Sequence, residues 1–353
     1  MPGITAVAHA LPSYAVSQHE VRKFAEEFFA GALPVQRYLK VFDHAAVQRR
    51  HFVVPISWFT QDHSFPEKNR LYIESAQQLA EQAAKRCLAG ATLEPSEIDH
   101  LVFVSSTGLA TPTLDARLIQ RMGFRPDIKR TPLWGLGCAG GAIGLSRTWG
   151  WSQADASQNS LLLAVECCSL TFLHSDRSKR NLVASALFAD GAAAVLIEGR
   201  PRSKAVLRQA RVLAAHSYTW PDTEHIMGWQ LVAGGLQVVF SAEIPGLVHT
   251  HMREQVEAFL DAQKLTVADI RHWIVHPGGA RVLTAYQEAL GLSDHQLSQA
   301  RHILAHYGNM SSPTVLFVLQ LAHEEAEPGD HGLLMALGPG FSLEILLLRW
   351  DEA

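Results

Sequence analysis

The chain carries an internal repeat with an offset of 172 residues, and this repeat constrains the fold more than any other feature of the sequence. The pattern Leu-x-x-x-Glu-Ile-x-His-x-Val at 93–102 returns as Leu-x-x-x-Asp-Ile-x-His-x-Ile at 265–274. The same offset aligns Leu-Leu-Leu-Ala at 161–164 with Leu-Leu-Met-Ala at 333–336, and it aligns Cys138 with Met310. Landmarks that keep one offset over about 70 residues indicate a duplicated unit. We therefore predict two homologous halves, residues 1–200 and 201–353.

Apolar periodicity in both halves alternates between helical and strand patterns. Helical spacing covers residues 18–29, 71–89, 248–260, 281–290 and 313–325, and short apolar runs typical of buried strands cover 100–104, 160–165, 192–197, 272–275, 332–337 and 343–348. This alternation favours a parallel or mixed sheet covered by helices. Because equivalent turns of the two halves should face each other across a pseudo-twofold axis, we expect the turn at Cys138 to lie near the turn at Asn309.

The composition is typical of a well-cored α/β protein, since 48% of the 353 residues are hydrophobic and 18% are charged. A net charge of −4, without blocks of like charge, gives no field that would attract nucleic acid. The four cysteines show no Cys-x-x-Cys spacing, so we predict neither a zinc site nor a disulfide framework. The sequence shows no secretory signal and no apolar run of membrane-spanning length, which favours a cytoplasmic location without membrane contact.

Cys138 lies in the run Trp-Gly-Leu-Gly-Cys-Ala-Gly-Gly-Ala-Ile-Gly at 134–144, which is typical of a tight turn that enters a helix. The unpaired N–H groups and partial positive charge of a helix N-terminus favour a thiolate. We also expect the missing glycine side chains to let a bulky thioester approach. These features predict a nucleophile, and a buried structural cysteine is the alternative.

Two turns of the second half offer polar partners for such a nucleophile. His276 ends a predicted buried strand before Pro-Gly-Gly, and as the repeat equivalent of Val104 it should lie at the same rim of the sheet. Asn309 lies in Tyr-Gly-Asn-Met-Ser-Ser at 307–312, where a turn enters a helix. A core histidine bonded to backbone and a simple helix cap are the alternatives. Together the three side chains supply a nucleophile, a partner that stabilises its thiolate, and donors for an oxyanion.

Four motifs, in this order, resemble those of type III polyketide synthases, the chalcone synthase-like branch of the thiolase superfamily. They are Gly-Cys-Ala-Gly-Gly around Cys138, His-Pro-Gly-Gly from His276, Tyr-Gly-Asn-Met-Ser-Ser around Asn309, and Gly-Pro-Gly at 338–340. The resemblance covers nearly the whole chain and suggests a bacterial-type member. It implies the thiolase-like α/β fold, in which two βαβαβαββ halves form a five-layered αβαβα core, and it implies a homodimer.

The resemblance implies an acyltransferase that acts on acyl-CoA and malonyl-CoA without a metal or another cofactor. The Cys138 thiolate, paired with the His276 imidazolium, would carry the starter acyl group. His276 and Asn309 would then stabilise the enolate formed when malonyl-CoA loses carbon dioxide. Repeated condensations would give a chain that cyclises to a pyrone, resorcinol or phloroglucinol type of product.

The resemblance also assigns pocket and CoA-binding roles to residues of this chain. Phe188 matches an aromatic gate, and Val238 stands where the family has a second gating Phe, which would widen the opening. The expected pocket residues are Ser106, Cys168, Thr171 and Ser311, and the expected cavity floor is Gly338, Pro339 and Gly340. Arg37, Lys40 and His44, spaced for one helical face, match the contacts to CoA phosphates. A core aromatic at 188 and a solvated helix face at 37–44 are the alternatives.

Two other functions are compatible with these residues. A ketoacyl-ACP synthase of the fatty-acid-initiating kind shares the Cys-His-Asn set, but that family usually has His-Gln-Ala-Asn where this chain has His-Pro-Gly-Gly. A non-catalytic acyl-CoA-binding homologue would not need the intact set. Within the main interpretation, Val238 and the small pocket residues favour an aliphatic starter.

Overall fold

The computed structural model describes residues 2–199 and 209–351. Its strands are β1 (Gly3–Ala10), β2 (Tyr14–Ser17), β3 (Arg49–Phe52), β4 (His100–Val104), β5 (Lys129–Leu133), β6 (Ser160–Cys167), β7 (Asp190–Glu198), β8 (Gln209–Thr219), β9 (Met227–Val232), β10 (Gly235–Phe240), β11 (His272–Val275), β12 (His331–Gly338) and β13 (Ser342–Asp351). Its helices are α1 (Gln18–Phe28), α2 (Val35–Tyr38), α3 (Lys40–His44), α4 (Phe65–Ala91), α5 (Leu114–Met122), α6 (Gly140–Ala154), α7 (Lys179–Leu187), α8 (Ile244–Ala262), α9 (Ala280–Leu290), α10 (Ser298–Tyr307) and α11 (Thr314–Glu325). The predicted boundary between the halves, at residues 200 and 201, lies outside the described residues.

A sheet of nine strands, in the order β11-β12-β13-β8-β1-β7-β6-β4-β5, organises the described part of the chain. From the centre outward, β1, β7, β6 and β4 pair antiparallel, antiparallel and parallel, and β8, β13, β12 and β11 repeat these senses. The register repeats as well, because His100 pairs with Ser160 whereas His272 pairs with Gly332, so both partners move by 172 residues. The duplicated α/β unit predicted from the repeat is therefore present in the sheet.

Helices form three layers around the two groups of strands, of which the first is β1, β7, β6 and β4 and the second is β8, β13, β12 and β11. α4 packs on one face of β1, β6 and β7, where Leu161 and Leu163 belong to its core. The intervening Leu162 belongs to a second core that includes α6 and α11. α6 also contacts β12 and β13, and α11 contacts β1, β7, β11 and β12, so these two helices form a middle layer that both groups share. α8 and α9 pack together over the second group, which completes the five predicted layers.

The helices and strands predicted from apolar periodicity are all present, with boundaries that differ mainly at α4. This helix begins at Phe65, six residues before the predicted start at 71, because the Ser64 side chain accepts a hydrogen bond from the N–H of Glu67 and caps the first turn. Within the described residues, no helix combines the length and the apolar character needed to cross a membrane.

Candidate active site

Cys138 lies in a short 3-10 segment, Gly137–Ala139, that leads directly into α6. Only 6% of the residue is exposed. The thiol forms hydrogen bonds with the side chains of Ser311 and Asn309. The turn at 138 and the turn at 309 are therefore adjacent, as the internal repeat predicts.

The glycines that follow Cys138 allow close packing of the two halves. A Cβ at Gly140 would lie 2.7 Å from Cγ1 of Val104, and a Cβ at Gly141 would lie 2.2 Å from the carbonyl oxygen of Ser312. A side chain at either position would push α6 away from β4 or from the Asn309 turn. The expectation that these missing side chains admit a bulky thioester is therefore wrong for Gly140 and Gly141, because protein atoms already occupy that space.

Ser106 holds the backbone that precedes Cys138. Its Oγ accepts hydrogen bonds from the N–H groups of Gly135 and Gly137, at 3.2 and 3.3 Å. The residue has no exposed surface. Its side chain supports the nucleophile turn and is not among the residues that line the cavity described below, so its place in the substrate pocket stays a prediction.

The loop formed by Gly338, Pro339 and Gly340 packs against the same turn. A Cβ at Gly338 would lie 2.6 Å from Cβ of Ala139, and a Cβ at Gly137 would lie 2.8 Å from Cδ of Pro339. This close approach requires glycine at 338. We expected the loop to form the cavity floor, but it backs the Cys138 turn and does not line the apolar cavity described below.

His276 follows β11 and is 3% exposed. Its backbone N–H donates to the carbonyl oxygen of Met335 on β12 at 2.9 Å, which fixes the residue at the rim of the sheet. Neither ring nitrogen has a hydrogen-bond partner among the described residues, which argues against a core histidine tied to backbone. Burial lowers the pKa of His276 to about 3, so the ring is neutral near pH 7 and offers one donor and one acceptor.

Asn309 connects the Cys138 turn with the His276 turn. Its Nδ2 donates to the carbonyl oxygen of Gly278 at 3.1 Å, and its Oδ1 accepts from the N–H of Ser311 at 2.8 Å. The side chain also forms a hydrogen bond with Cys138. Asn309 is not the cap of a helix, because α11 begins only at Thr314. The amide is thus fixed between the thiol and the turn that follows the histidine.

The charge state of Cys138 differs from the prediction. Burial raises the pKa of its thiol to about 11, although hydrogen bonds from Ser311 and Asn309 act in the opposite direction. Burial is the largest of these effects on the thiol. With the lowered pKa of His276, the site favours a neutral thiol and a neutral imidazole, whereas the sequence predicted a thiolate–imidazolium pair.

We expect the alkylation of Cys138 by iodoacetamide to speed up steadily with pH. Only the thiolate reacts, and for a thiol with a raised pKa its fraction grows about tenfold per pH unit between about pH 6 and 9. The rate is measured by mass spectrometry of the peptide that contains Cys138. A rate that stays constant across this range would show that the thiolate is already paired with imidazolium in the free protein.

Glu166 is a site residue that sequence reasoning missed. Its carboxylate accepts hydrogen bonds from the N–H of Ser106 at 2.9 Å, from the hydroxyl of Thr107 at 2.7 Å and from the hydroxyl of Ser312 at 2.8 Å. It thereby ties the support of the Cys138 turn to the turn that carries Asn309, and its burial raises the pKa of its carboxyl to about 7. The signal was a glutamate directly after the apolar run Leu-Leu-Leu-Ala-Val.

A mostly apolar, open cavity adjoins this site, and its empty space of about 490 Å³ includes open solvent. Its lining residues are Val21, Phe24, Phe52, Ile56, Phe59, Cys168, Ser169, Thr171, Phe172, Asn181, Ala184, Ser185, Phe188 and Val238. Four of the expected pocket residues are therefore among them: Cys168, Thr171, Phe188 and Val238. Cys168 lies near Cys138, and the negative charge of the Cys138 thiolate raises the pKa of the Cys168 thiol. The backbone of Phe188 forms an isolated β-bridge with Asn309. Ser311 is not among the lining residues, and its side chain lies against Cys138.

The basic residues Arg37, Lys40 and His44 are all exposed. They lie on two short helices, α2 and α3, which meet at Leu39 instead of forming the one helix expected. Nζ of Lys179, at the start of α7, lies 5.4 Å from the centre of the Tyr38 ring. Helix α2 therefore neighbours α7, whose later residues line the cavity.

Comparisons with known proteins agree with this geometry. The family profile "Chalcone and stilbene synthases, N-terminal domain" matches residues 3–201, and the corresponding C-terminal profile matches residues 211–350. A 1,3,6,8-tetrahydroxynaphthalene synthase of Streptomyces peucetius subsp. caesius is 40% identical over 98% of this chain and 93% of its own length. A 3,5-dihydroxyphenylacetyl-CoA synthase of Amycolatopsis orientalis is 37% identical over 76% of this chain and 73% of its own.

The crystal structure of 1,3,6,8-tetrahydroxynaphthalene synthase from Streptomyces coelicolor A3(2), a bacterial type III polyketide synthase, superposes with a TM-score of 0.94 at 28% identity. The superposition covers 99% of this chain and 100% of the synthase chain. The chain therefore belongs to the chalcone and stilbene synthase family of type III polyketide synthases.

Proposed function

We propose that this type III polyketide synthase condenses malonyl-CoA repeatedly onto an acyl-CoA starter that is held on Cys138. The observation that carries the proposal is the arrangement of three buried groups. The Cys138 thiol contacts the Asn309 amide, and that amide donates to the turn of His276, whose two ring nitrogens have no partner among the described residues. A thioester carbonyl placed between these groups would meet a nucleophile, an amide donor and a proton acceptor.

In the loading step the neutral imidazole of His276 accepts the proton of the Cys138 thiol. The thiolate then attacks the thioester carbon, the bond to the CoA sulfur breaks, and the departing CoA thiolate takes the proton back from His276. Dividing the transfer into two steps is the usual advantage of a covalent nucleophile. Because burial favours the uncharged forms of both residues, we expect the charged pair to form only when a thioester is bound.

In the extension step malonyl-CoA loses carbon dioxide and its thioester becomes an enolate. The Nδ2–H of Asn309 and an N–H of His276 donate to the enolate oxygen, where negative charge develops. The enolate carbon then attacks the acyl group on Cys138, a carbon–carbon bond forms, and the thiolate leaves. The lengthened chain returns to Cys138 for the next round and finally closes to a pyrone, resorcinol or phloroglucinol type of ring. CoA thioesters are the only reagents that this sequence of steps uses.

The lining of the cavity supports an aliphatic starter. Phenylalanines and branched aliphatic side chains dominate it, and none of its lining residues is charged. An alkyl chain bound there would gain the free energy of leaving water, about 25 cal/mol per Å² of apolar surface buried. Val238 and Phe188 both lie in this lining, so the smaller residue at 238 leaves room for the chain to pass.

Three further observations support other parts of the proposal. Arg37, Lys40 and His44 are exposed basic residues that would bind the phosphates of CoA, and α2 lies close to the helix that borders the cavity. Leu109 and Trp134, 41% and 54% exposed, offer apolar surface for a second copy in a homodimer. The four cysteines are free thiols, which fits the reducing conditions of the cytoplasm.

The proposal is tested by incubating the purified protein with malonyl-CoA and a panel of acetyl-, hexanoyl-, decanoyl- and benzoyl-CoA, without any carrier protein. Products are identified by mass. We expect products that contain several malonyl-derived units, together with an acyl adduct on Cys138. A requirement for acyl carrier protein with a single condensation would indicate a ketoacyl-ACP synthase. The absence of both adduct and product would indicate a homologue that only binds acyl-CoA.

Replacing Val238 with phenylalanine is expected to shift the preference to shorter starters. The larger ring would fill part of the cavity beside Phe188, and kcat/KM for decanoyl-CoA should fall about tenfold relative to acetyl-CoA. Val239→Phe is the matched control, because successive residues of β10 point to opposite faces and Val239 does not line the cavity. Equal changes of this kcat/KM ratio in both variants, or an unchanged ratio in Val238→Phe, would show that Val238 does not form the gate.

A further inference from the structure

Arg50, on β3, is a fully buried cation next to the cavity. Its guanidinium donates to the carbonyl oxygens of Ser185 at 2.9 Å, Ala186 at 2.7 Å and Phe188 at 3.0 Å, and to the side chain of Gln18. It takes part in no ion pair among the described residues. A buried charge without a carboxylate partner is costly, so its retention needs an explanation in the groups that it contacts.

These contacts satisfy most of the free carbonyl groups at the C-terminal end of α7. The last four carbonyl groups of a helix have no partner within the helix, and here they belong to residues 185–188. Arg50 satisfies three of them, and the fourth, at Leu187, accepts from the N–H of Asn309 at 2.9 Å. The carbonyl oxygen of Asn309 in turn accepts from the N–H of Ala189 at 2.9 Å. The end of α7 and the backbone of Asn309 are therefore bonded as one unit.

The turn before Asn309 packs on the same unit. A Cβ at Gly308 would lie 3.1 Å from the carbonyl oxygen of Leu187 and 3.4 Å from Cβ of Arg50. Gly308 also has a φ of +71°, which glycine adopts without strain. The chain thus approaches Arg50 closely just before it places the Asn309 amide beside Cys138.

We propose that Arg50 is a positioning residue, which fixes Asn309 and the Phe188 wall of the cavity in one geometry. This inference rests on the proposed function, because it assigns a purpose to the position of Asn309. The planar guanidinium suits the task, since its fork of N–H groups can reach several carbonyls at once, and its charge is favourable at the negative end of a helix. Burial lowers the pKa of Arg50 to about 9, so the side chain still carries its charge at neutral pH.

The experiment compares two half-reactions in Arg50→Met, Arg50→Lys and the parent protein. Loading of Cys138 from hexanoyl-CoA is followed by intact mass, and decarboxylation of malonyl-CoA is followed by release of carbon dioxide. Displacing a positioned group by about 1 Å can cost 100-fold in rate, so we expect Arg50→Met to lower decarboxylation about 100-fold while loading falls less than about fivefold. Arg50→Lys should decarboxylate malonyl-CoA about tenfold faster than Arg50→Met, because a lysine keeps the charge but not the fork of N–H groups.

Leu88→Ala is the control for general destabilisation, since it removes a buried side chain on α4 that does not line the cavity. It should change both half-reactions by the same factor. If Arg50→Met does so as well, Arg50 only stabilises the fold and the inference is wrong; an unchanged Arg50→Met would overturn it equally. Should Arg50→Met fail to fold, the ratio in Arg50→Lys decides by the same criterion. A parent protein that neither loads nor decarboxylates would instead refute the proposed function.

Discussion

Cys138→Ala is expected to lose acyl transfer and condensation almost completely. The variant keeps the turn backbone held by Ser106 and loses only the sulfur that contacts Ser311 and Asn309. Loss of the nucleophile of a serine protease lowers kcat by about 10⁶-fold, and we expect the release of malonyl-derived products here to fall by at least about 10⁴-fold. Intact mass after incubation with hexanoyl-CoA, and product formation after addition of malonyl-CoA, measure the two losses.

Cys168→Ala is the matched control for Cys138→Ala. Both thiols are buried, and Cys168 lines the apolar cavity next to the site. Burial raises the pKa of Cys168 well above that of an ordinary thiol, with Glu166 adding to the effect, so it is a poor nucleophile. We expect Cys168→Ala to load at nearly the parental rate. An acyl adduct on Cys138→Ala, together with its absence from Cys168→Ala, would assign the nucleophile to Cys168.

The internal repeat allowed much of the sheet to be predicted from one sequence. It placed β4 and β6 of the first half on β11 and β12 of the second, and their registers keep the same offset. Strands β1, β2, β3, β5, β8, β9 and β10 were not predicted, and several of them lack a continuous apolar run. β5, for example, is the exposed edge segment Lys-Arg-Thr-Pro-Leu, and backbone pairing with β4 defines it.

The repeat also predicted that the turns of Cys138 and Asn309 meet, but it carried no information about what supports them. Ser106, Glu166 and Arg50 act through hydrogen bonds to residues 29 to 146 positions away, such as the bond from Ser312 to Glu166. Apart from the glutamate that follows the apolar run at 161–165, contacts of this kind leave no local pattern in a single sequence. The charge states could not be predicted either, because burial in the folded chain has the largest effect on the pKa values of Cys138 and His276.

Asn309→Ala is expected to separate decarboxylation from loading. The substitution removes the Nδ2 donor and the hydrogen bond to Cys138, while Cys138 and His276 remain in place. Removal of one preorganised donor to a developing oxyanion typically costs about 10² to 10³ in kcat, and we expect a loss of this size in malonyl-CoA decarboxylation. Loading from hexanoyl-CoA should change much less, because it needs the thiol and a proton acceptor.

Ser312→Ala is the matched control for Asn309→Ala. It lies on the same turn and is equally buried, but its hydroxyl donates to Glu166. Losing that bond should destabilise the turn by about 1–3 kcal/mol without removing a donor from the enolate. If Ser312→Ala lowers decarboxylation as strongly as Asn309→Ala, the turn matters only as a scaffold. If Asn309→Ala decarboxylates malonyl-CoA at the parental rate, the amide has no part in stabilising the enolate, and the N–H of His276 must suffice.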